Sequence, residues 1–227
     1  MSRVSAWFQS SIGAKMVMAV TGLLLFLFVV SHLLGNLLIF AGRDATNAYA
    51  KGLKDMWALL WAARVGLLVV FLMHVGSALR LWRVNQAARP DPYDALTPVV
   101  TTYAARSIVF SGLLLLLFVA YHLLHFTLGV TNPEYLRLLD PSGRLDVYSM
   151  VVRGFSNPAV TGVYVAAMIL LGLHLSHGVT SLFQTLGINH PSYNPLIKRL
   201  GPVLAVIIVI GYLSIPVAVL AGVLRLP

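Results

Sequence analysis

Five long apolar runs dominate this sequence, and they restrict the chain to a membrane. Crossing about 30 Å of hydrocarbon takes roughly 20 apolar residues in a helix. Only 10% of the 227 residues are charged, whereas about a quarter are charged in a typical soluble domain. The sequence therefore predicts an all-α integral membrane bundle of five transmembrane helices, forming one domain over residues 1–227. The predicted spans are Lys15–Phe40, Trp57–Trp82, Ala104–Val130, Pro158–Leu186 and Arg199–Leu224.

The charges and the cysteine count narrow the chemistry. The formal net charge is +9, but the basic residues lie mainly at the ends of the apolar runs, where they anchor helices at lipid headgroups. We therefore expect membrane lipid as a partner and no nucleic acid. The chain has no cysteine, which excludes disulfides and cysteine-ligated iron–sulfur clusters in this chain. Any redox centre held here must use histidine or methionine.

A weak internal repeat relates the first and third predicted spans. LLLFLFVVSHLL (Leu23–Leu34) and LLLLLFVAYHLL (Leu113–Leu124) agree at nine of twelve positions. Leucine runs match easily by chance, so the repeat has one narrow use. It selects His122, rather than His125, as the counterpart of His32.

Six of the seven histidines lie inside the predicted spans, where polar side chains are costly and usually functional. An isolated intramembrane histidine can instead hydrogen-bond a neighbouring helix and merely hold the bundle together. Four successive predicted spans each carry at least one, which favours a shared function. The six are His32, His74, His122, His125, His174 and His177.

Helix geometry sorts these histidines into two levels. His32 and His122 each lie eight residues before the end of their spans, about 12 Å along the helix from one membrane face. His74 lies eight residues before the end of the second span, which runs in the opposite direction. His174 and His177 lie twelve and nine residues before the end of the fourth span, so either can share the level of His74. The spacing predicts two histidine levels near opposite membrane faces.

Paired imidazoles at two levels indicate two b-type haems. A bis-histidine haem needs two imidazole nitrogens on opposite sides of the iron, and facing helices of a bundle can supply them. The first four spans would then form a dihaem core. A zinc or di-iron site is disfavoured, because no predicted span contains Asp or Glu. The spacing leaves His174 and His177 open as the ligand on the fourth span.

Two further groups of residues are candidates for contacts with cofactors. Arginines at the span ends could pair with haem propionates, although a snorkelling surface role is the alternative for each. Polar side chains near the ligands could bind a quinone or support a ligand, and a hydrogen bond within the bundle is the alternative. The arginines are Arg64, Arg80, Arg83 and Arg106. The quinone or supporting candidates are His125, His177, Asn36 and Thr127.

Five segments carry a resemblance that covers most of the chain. On these residues the chain resembles the cytochrome b membrane-anchor subunit of succinate dehydrogenases and fumarate reductases, in its single-chain form with five helices and two haems. The segments Val147–Pro158 and Leu171–Asn189 are specific in the identity and order of their residues. The segments are SSIGAKMVMAVTGLLLFLFVVSHLLGNL (Ser10–Leu37), FLMHVGSALRLW (Phe71–Trp82), RSIVFSGLLLLLFVAYHLLHFT (Arg106–Thr127), VYSMVVRGFSNP (Val147–Pro158) and LGLHLSHGVTSLFQTLGIN (Leu171–Asn189).

The resemblance implies the four axial ligands and the setting. His32 with His122 would hold the haem distal to the soluble subunits, and His74 with His174 the proximal one, with His177 as the alternative to His174. It also implies the bacterial inner (cytoplasmic) membrane, a cytoplasmic N-terminus, and flavoprotein and iron–sulfur subunits docked on the cytoplasmic face. Counting Lys and Arg gives no orientation of its own, because eight fall on each side of the membrane.

The function implied by the resemblance is electron transfer in respiratory complex II of the tricarboxylic acid cycle. Succinate would be oxidised on the flavoprotein, and this chain would carry electrons from the iron–sulfur subunit to a quinone, menaquinone by analogy with two-haem relatives. The chain alone would be non-catalytic, and the complex could form a higher oligomer. One alternative is the anchor of a quinol:fumarate reductase or of another quinone-linked dehydrogenase. Alternatives of a different class are a histidine-relay transporter and a haem-free anchor.

Overall fold

The computed structural model describes residues 7, 10–88, 103–188 and 190–227. Within these ranges the chain forms eight α-helices and no β-strand, apart from one isolated bridge between Leu139 and Leu145. Asn189, which ends the fifth segment of the resemblance, lies outside the described residues.

Five of the helices are long and apolar enough to cross a membrane. They confirm the predicted all-α fold with five transmembrane helices, and they define a multi-pass membrane protein. Helix α3 ends five residues later than predicted and α8 begins five residues earlier, because both helices continue into polar sequence beyond the apolar run. The predicted dihaem core stays a prediction. The five are α1 (Ser11–Leu37), α3 (Trp57–Ala87), α5 (Ile108–His122), α7 (Pro158–Thr185) and α8 (Asn194–Leu220).

Local sequence signals explain where two of these helices begin. The Ser10 side chain caps α1 by accepting a hydrogen bond from the Gly13 N–H at 2.9 Å. Asn157 caps α7 by accepting from the Ala159 N–H at 2.9 Å, and Pro158 occupies the first helical position. Proline suits that position because its missing N–H would have no partner within the helix.

Three shorter helices lie between the long ones: α2 (Arg43–Asp55), α4 (Tyr103–Arg106) and α6 (Val147–Phe155). Helices α2 and α6 were not predicted, because both are too short and too polar on one face to register as apolar runs. They pack against each other at the end of the bundle where α1 ends and α7 begins.

The first four long helices form a bundle whose neighbours can be read from their packing. Helix α1 packs closely against α3 and α7, and α7 packs closely against α5. Packing therefore follows the order α3, α1, α7, α5, and within the described ranges α3 and α5 make no extensive close contact. Helices α1 and α5 are separated by α7, and α3 and α7 by α1, so these two pairs form the diagonals of the bundle. Across the described residues, neither diagonal pair makes extensive close backbone contact. Helix α8 lies outside this bundle and packs most extensively against α7.

A buried polar cluster fastens α2 to the start of α6. Asn47 is 1% exposed, and its side-chain amide donates to Asp140 at 3.1 Å and to Asp146 at 3.0 Å. Arg43 donates to the second oxygen of Asp146 through Nε at 3.0 Å and Nη2 at 2.6 Å. The Asp146 carboxylate also caps α6 by accepting from the Ser149 N–H at 3.1 Å. This cluster ties the two short helices together outside the membrane.

The pKa of Asp146 records the balance of forces in that cluster. Burial opposes ionisation of the carboxyl, but hydrogen bonds from Arg43, Ser149 and Asn47 outweigh it and hold the pKa well below its usual range. A carboxylate with a lowered pKa stabilises the folded state above its unfolded pKa of about 4. That stability is lost as the pH falls from there toward the folded pKa.

Asp146→Asn should therefore destabilise the protein at neutral pH. We expect a loss of about 2 kcal/mol in the free energy of unfolding, because hydrogen bonds to charged groups are lost at a buried site. Wild-type stability should fall below about pH 4 as the Asp146 carboxylate is protonated, and the variant should show a smaller fall because it lacks that group. Thermal unfolding followed by circular dichroism across pH measures both effects. Asp55→Asn is the matched control, because Asp55 pairs with Lys51 at the surface, where ion pairs contribute little. Equal unfolding temperatures for the two variants would contradict the prediction.

Candidate functional site

The structure brings His32 of α1 and His122 of α5 together inside the bundle. Their ring centroids are 6.0 Å apart, and their ring planes are inclined at 81°. The His32 side chain makes no hydrogen bond to any residue within the described ranges, and it stacks on Phe28 at 5.4 Å between centroids. Because α1 and α5 lie on a diagonal, the two rings meet across the bundle interior.

His74 of α3 and His174 of α7 form a second pair on the other diagonal. Their ring centroids are 6.3 Å apart, with an interplanar angle of 67°. This pair lies at the level of Thr21 on α1, whose hydroxyl is 3.3 Å from His74 Nδ1. Thr21 precedes His32 by eleven residues, which corresponds to about 16 Å along the helix. The two pairs therefore occupy separate levels.

The separation within each pair fits two imidazoles that share one metal ion. Bonds from histidine nitrogen to a metal are about 2 Å long and the ring centre lies about 1 Å beyond the nitrogen, so two rings on opposite sides of one ion have centroids about 6 Å apart. Two imidazoles joined by a direct hydrogen bond of about 3 Å would be closer. The observed separations are 6.0 and 6.3 Å. The interplanar angles are no obstacle, because each ring can rotate about its bond to the metal.

The four paired rings are only partly enclosed by protein atoms. All four are half-buried although they lie between diagonal helices, whereas His125, one turn from His122, is 1% exposed. The four residues are therefore less enclosed by protein than His125. In the described part of the chain, no group of three or more His, Asp or Glu side chains could hold a metal ion.

Tyr164 of α7 connects His122 to His125. Its hydroxyl lies 3.2 Å from His122 Nδ1 and 3.1 Å from His125 Nδ1. A phenol has one hydrogen to donate, so at least one of the two imidazoles must donate an N–H to it. Donation by His122 Nδ1 would leave the lone pair on Nε2, as a metal ligand requires. Sequence reasoning missed Tyr164, because a tyrosine in an apolar span carries no local signal.

The predicted quinone or supporting residues lie in four different environments. His125 is enclosed in the bundle, in the π-helical turn Leu123–Thr127 that continues α5, and its partner is Tyr164. Thr127 ends that turn and is exposed. The Asn36 amide donates to the backbone carbonyl of His32 at 2.7 Å. His177 Nε2 lies 3.0 Å from the Ser181 hydroxyl on its own helix.

These positions bear on one alternative that the sequence left open and on one choice that the repeat had made. His174, rather than His177, lies opposite His74, and His122, rather than His125, lies opposite His32. The burial of His125 and its contact with Tyr164 favour a supporting role over a quinone contact. The assignment of iron ligands stays a prediction.

The four arginines considered for haem propionates mostly face outward. Arg64, Arg83 and Arg106 are exposed, and the Arg64 guanidinium lies 5.2 Å above the ring centre of Trp61. Arg80 is half-buried and has an interaction partner. The positions of Arg64, Arg83 and Arg106 fit arginines that extend toward the membrane surface.

Comparison of the chain with models of known protein families, with curated proteins and with solved structures finds no match in any of the three.

Proposed function

We propose that this protein is a dihaem cytochrome b that anchors a succinate:quinone oxidoreductase in the bacterial cytoplasmic membrane. It would carry electrons from an iron–sulfur subunit to a membrane quinone, menaquinone by analogy with two-haem relatives. The N-terminus would be cytoplasmic, and flavoprotein and iron–sulfur subunits would dock on that side. The observation that carries the proposal is the presence of two histidine pairs, each at metal-bridging separation across a bundle diagonal.

In this proposal each residue of the two pairs has one task. His32 and His122 hold the iron of one b haem, and His74 and His174 hold the iron of the other. When bound, the haems supply one-electron redox chemistry, and the protein sets their potentials through ligation and hydrogen bonds. The apolar walls of α1, α3, α5 and α7 exclude water from the porphyrins. Tyr164 orients His122 through its Nδ1, and His125 fixes the phenol from the other side.

The alternative is an anchor that works in the opposite direction, from quinol to fumarate. A quinol:fumarate reductase anchor would use the same ligands, since direction follows from the potentials of haem and quinone. The anchor of another quinone-linked dehydrogenase would differ only in the soluble subunits that it binds.

A reduced-minus-oxidised optical spectrum of the purified chain tests the proposal. The full chain is produced in a host supplied with 5-aminolevulinate, so that porphyrin is not limiting, and is purified in detergent. We expect two b-type components, with about two haems per chain by pyridine haemochrome. A folded, helical chain without haem absorbance would contradict the proposal and would favour a histidine relay or a haem-free scaffold. Co-purification with flavin and iron–sulfur subunits identifies the complex.

A further inference from the structure

Two matched pairs of small residues support the histidines of the second level. Thr21-Gly22 on α1 and Ser111-Gly112 on α5 stand directly before the two repeated segments. Extending the repeat by two positions therefore aligns a hydroxyl residue with a hydroxyl residue and a glycine with a glycine. Thr21 precedes His32, and Ser111 precedes His122, by the same eleven residues. The two hydroxyl residues nevertheless contact the histidines of the other level, His74 and His174.

The two hydroxyl groups approach equivalent ring nitrogens on the two histidines. Thr21 Oγ1 lies 3.3 Å from His74 Nδ1, and Ser111 Oγ lies 3.5 Å from His174 Nδ1. The first contact crosses between α1 and α3, and the second crosses between α5 and α7, which are two closely packed helix pairs. The same contact is thus made twice, once in each half of the bundle.

The direction of these hydrogen bonds follows from the other partners of each hydroxyl. Thr21 donates its single hydrogen to its own helix, with Val17 O at 2.7 Å, and Ser111 donates to Ile108 O at 3.1 Å. Each oxygen is then left as an acceptor for an N–H on Nδ1 of the imidazole. His74 has a further hydrogen-bond partner in the backbone of Met18. An Nδ1–H tautomer leaves the lone pair on Nε2, where a metal ligand needs it. Thr21 is 4% and Ser111 1% exposed, so water cannot readily take over either contact.

The glycines let the two rings lie against the helix backbone. A Cβ on Gly22 would stand 3.3 Å from His74 Cε1, and a Cβ on Gly112 would stand 3.5 Å from His174 Cε1. An added methyl group at Gly22 would therefore crowd the His74 ring, whereas one at Gly112 would make an ordinary van der Waals contact with His174.

We propose that Thr21 and Ser111 are positioning residues that hold His74 and His174 as Nδ1–H tautomers and so tune the haem of that level. The inference rests on the proposed function, because it concerns the ligands of one of the two haems. An acceptor on Nδ1–H increases the basicity of a ligating imidazole and stabilises the oxidised metal. Loss of the acceptor should raise the midpoint potential of that haem alone. Haem retention should also weaken, because removal of such a partner typically costs about 10–100-fold in metal affinity.

The test uses the full chain with haem bound and compares Thr21→Val with Ser111→Ala. Redox titration followed optically resolves the two b components, and haem loss to excess apomyoglobin measures retention. We expect both variants to raise the midpoint potential of the same component and to release that haem about tenfold faster. Thr21→Ser and Ser111→Thr keep the hydroxyl and should restore wild-type behaviour. Ser214→Ala is the control, because the Ser214 hydroxyl donates to Gly211 O at 2.7 Å on its own helix and contacts no histidine.

The outcomes separate this inference from the proposed function. Two haems with unchanged potentials and retention in both variants would overturn the positioning role and leave the dihaem assignment standing. Shifts in different components would also overturn it, since both hydroxyls contact one pair. A chain that folds without haem would overturn both proposals. Thermal unfolding of each variant, followed by circular dichroism, shows whether the variant is misfolded. Thr21→Ser and Ser111→Thr should unfold at the wild-type temperature.

Discussion

Replacing His122 by glycine is expected to remove one of the two proposed haems, because a low-spin b haem in a bundle needs both of its imidazoles. The His122 ring lies 6.0 Å from that of His32, and no other histidine within the described ranges is placed to take over from it. His125, one turn away, is enclosed and contacts Tyr164. Pyridine haemochrome on the purified variant measures the change.

The same result is expected for His32, His74 and His174, each with one haem or none remaining. His177→Gly should keep two haems, because His174 rather than His177 lies opposite His74. His190→Gly is the matched control outside the long helices. Added imidazole should restore haem to the ligand variants, which distinguishes loss of a ligand from misfolding. Full haem content in two or more of the four ligand variants would contradict the pairing.

Gly201→Ala should destabilise the protein, because the added methyl group would collide with the backbone of α7. A Cβ at this position on α8 would overlap the carbonyl oxygen of Ser176 and stand 2.5 Å from the Thr180 hydroxyl. The carbonyl belongs to the backbone of α7 and cannot rotate away. Overpacking of this kind typically costs about 1–3 kcal/mol, and we expect the upper part of that range. Thermal unfolding measures the loss.

Gly162→Ala supplies the control, since a Cβ there meets nothing within 4 Å. Alanine is a better helix former than glycine by about 1 kcal/mol, so this change should be neutral or stabilising. Only Gly201→Ala should thus lower the unfolding temperature. Helix α8 contributes none of the paired histidines, so haem should be lost from Gly201→Ala only as the protein unfolds. An unfolding temperature at or above that of wild type would refute the predicted clash.

The fold could be predicted where a simple physical signal was strong. Long apolar runs predict transmembrane helices because every backbone polar group must be satisfied inside the bilayer. The ends of the helices were predicted less accurately than their number. Helix α3, for example, continues after Trp82 through polar residues as far as Ala87. Helices α2 and α6 were missed because they are short and amphipathic, and the side chains that join them come from distant parts of the chain, as with Asn47 and Asp146.

The site could be predicted in part because helical spacing places residues at defined depths. Counting residues to the span ends placed His32 level with His122, and the structure sets their rings 6.0 Å apart. Depth alone left His174 and His177 open, since they differ by one turn and the rotation of the helix decides which of them faces α3. Tyr164 could not be found, because its role comes from a contact between helices. Thr21 and Ser111 could have been found by extending the repeat two positions toward the N-terminus.

The diagonal arrangement has a consequence for the order of events during synthesis. Each level takes one histidine from the first two long helices and one from the next two, so a nascent chain that ends after α3 has two half-sites and no complete one. Emergence of α5 from the ribosome completes the level of His32 and His122, and the level of His74 and His174 must wait for α7. Loading of the two proposed haems would therefore be sequential, and a truncated chain that lacks α7 would have a single complete histidine pair.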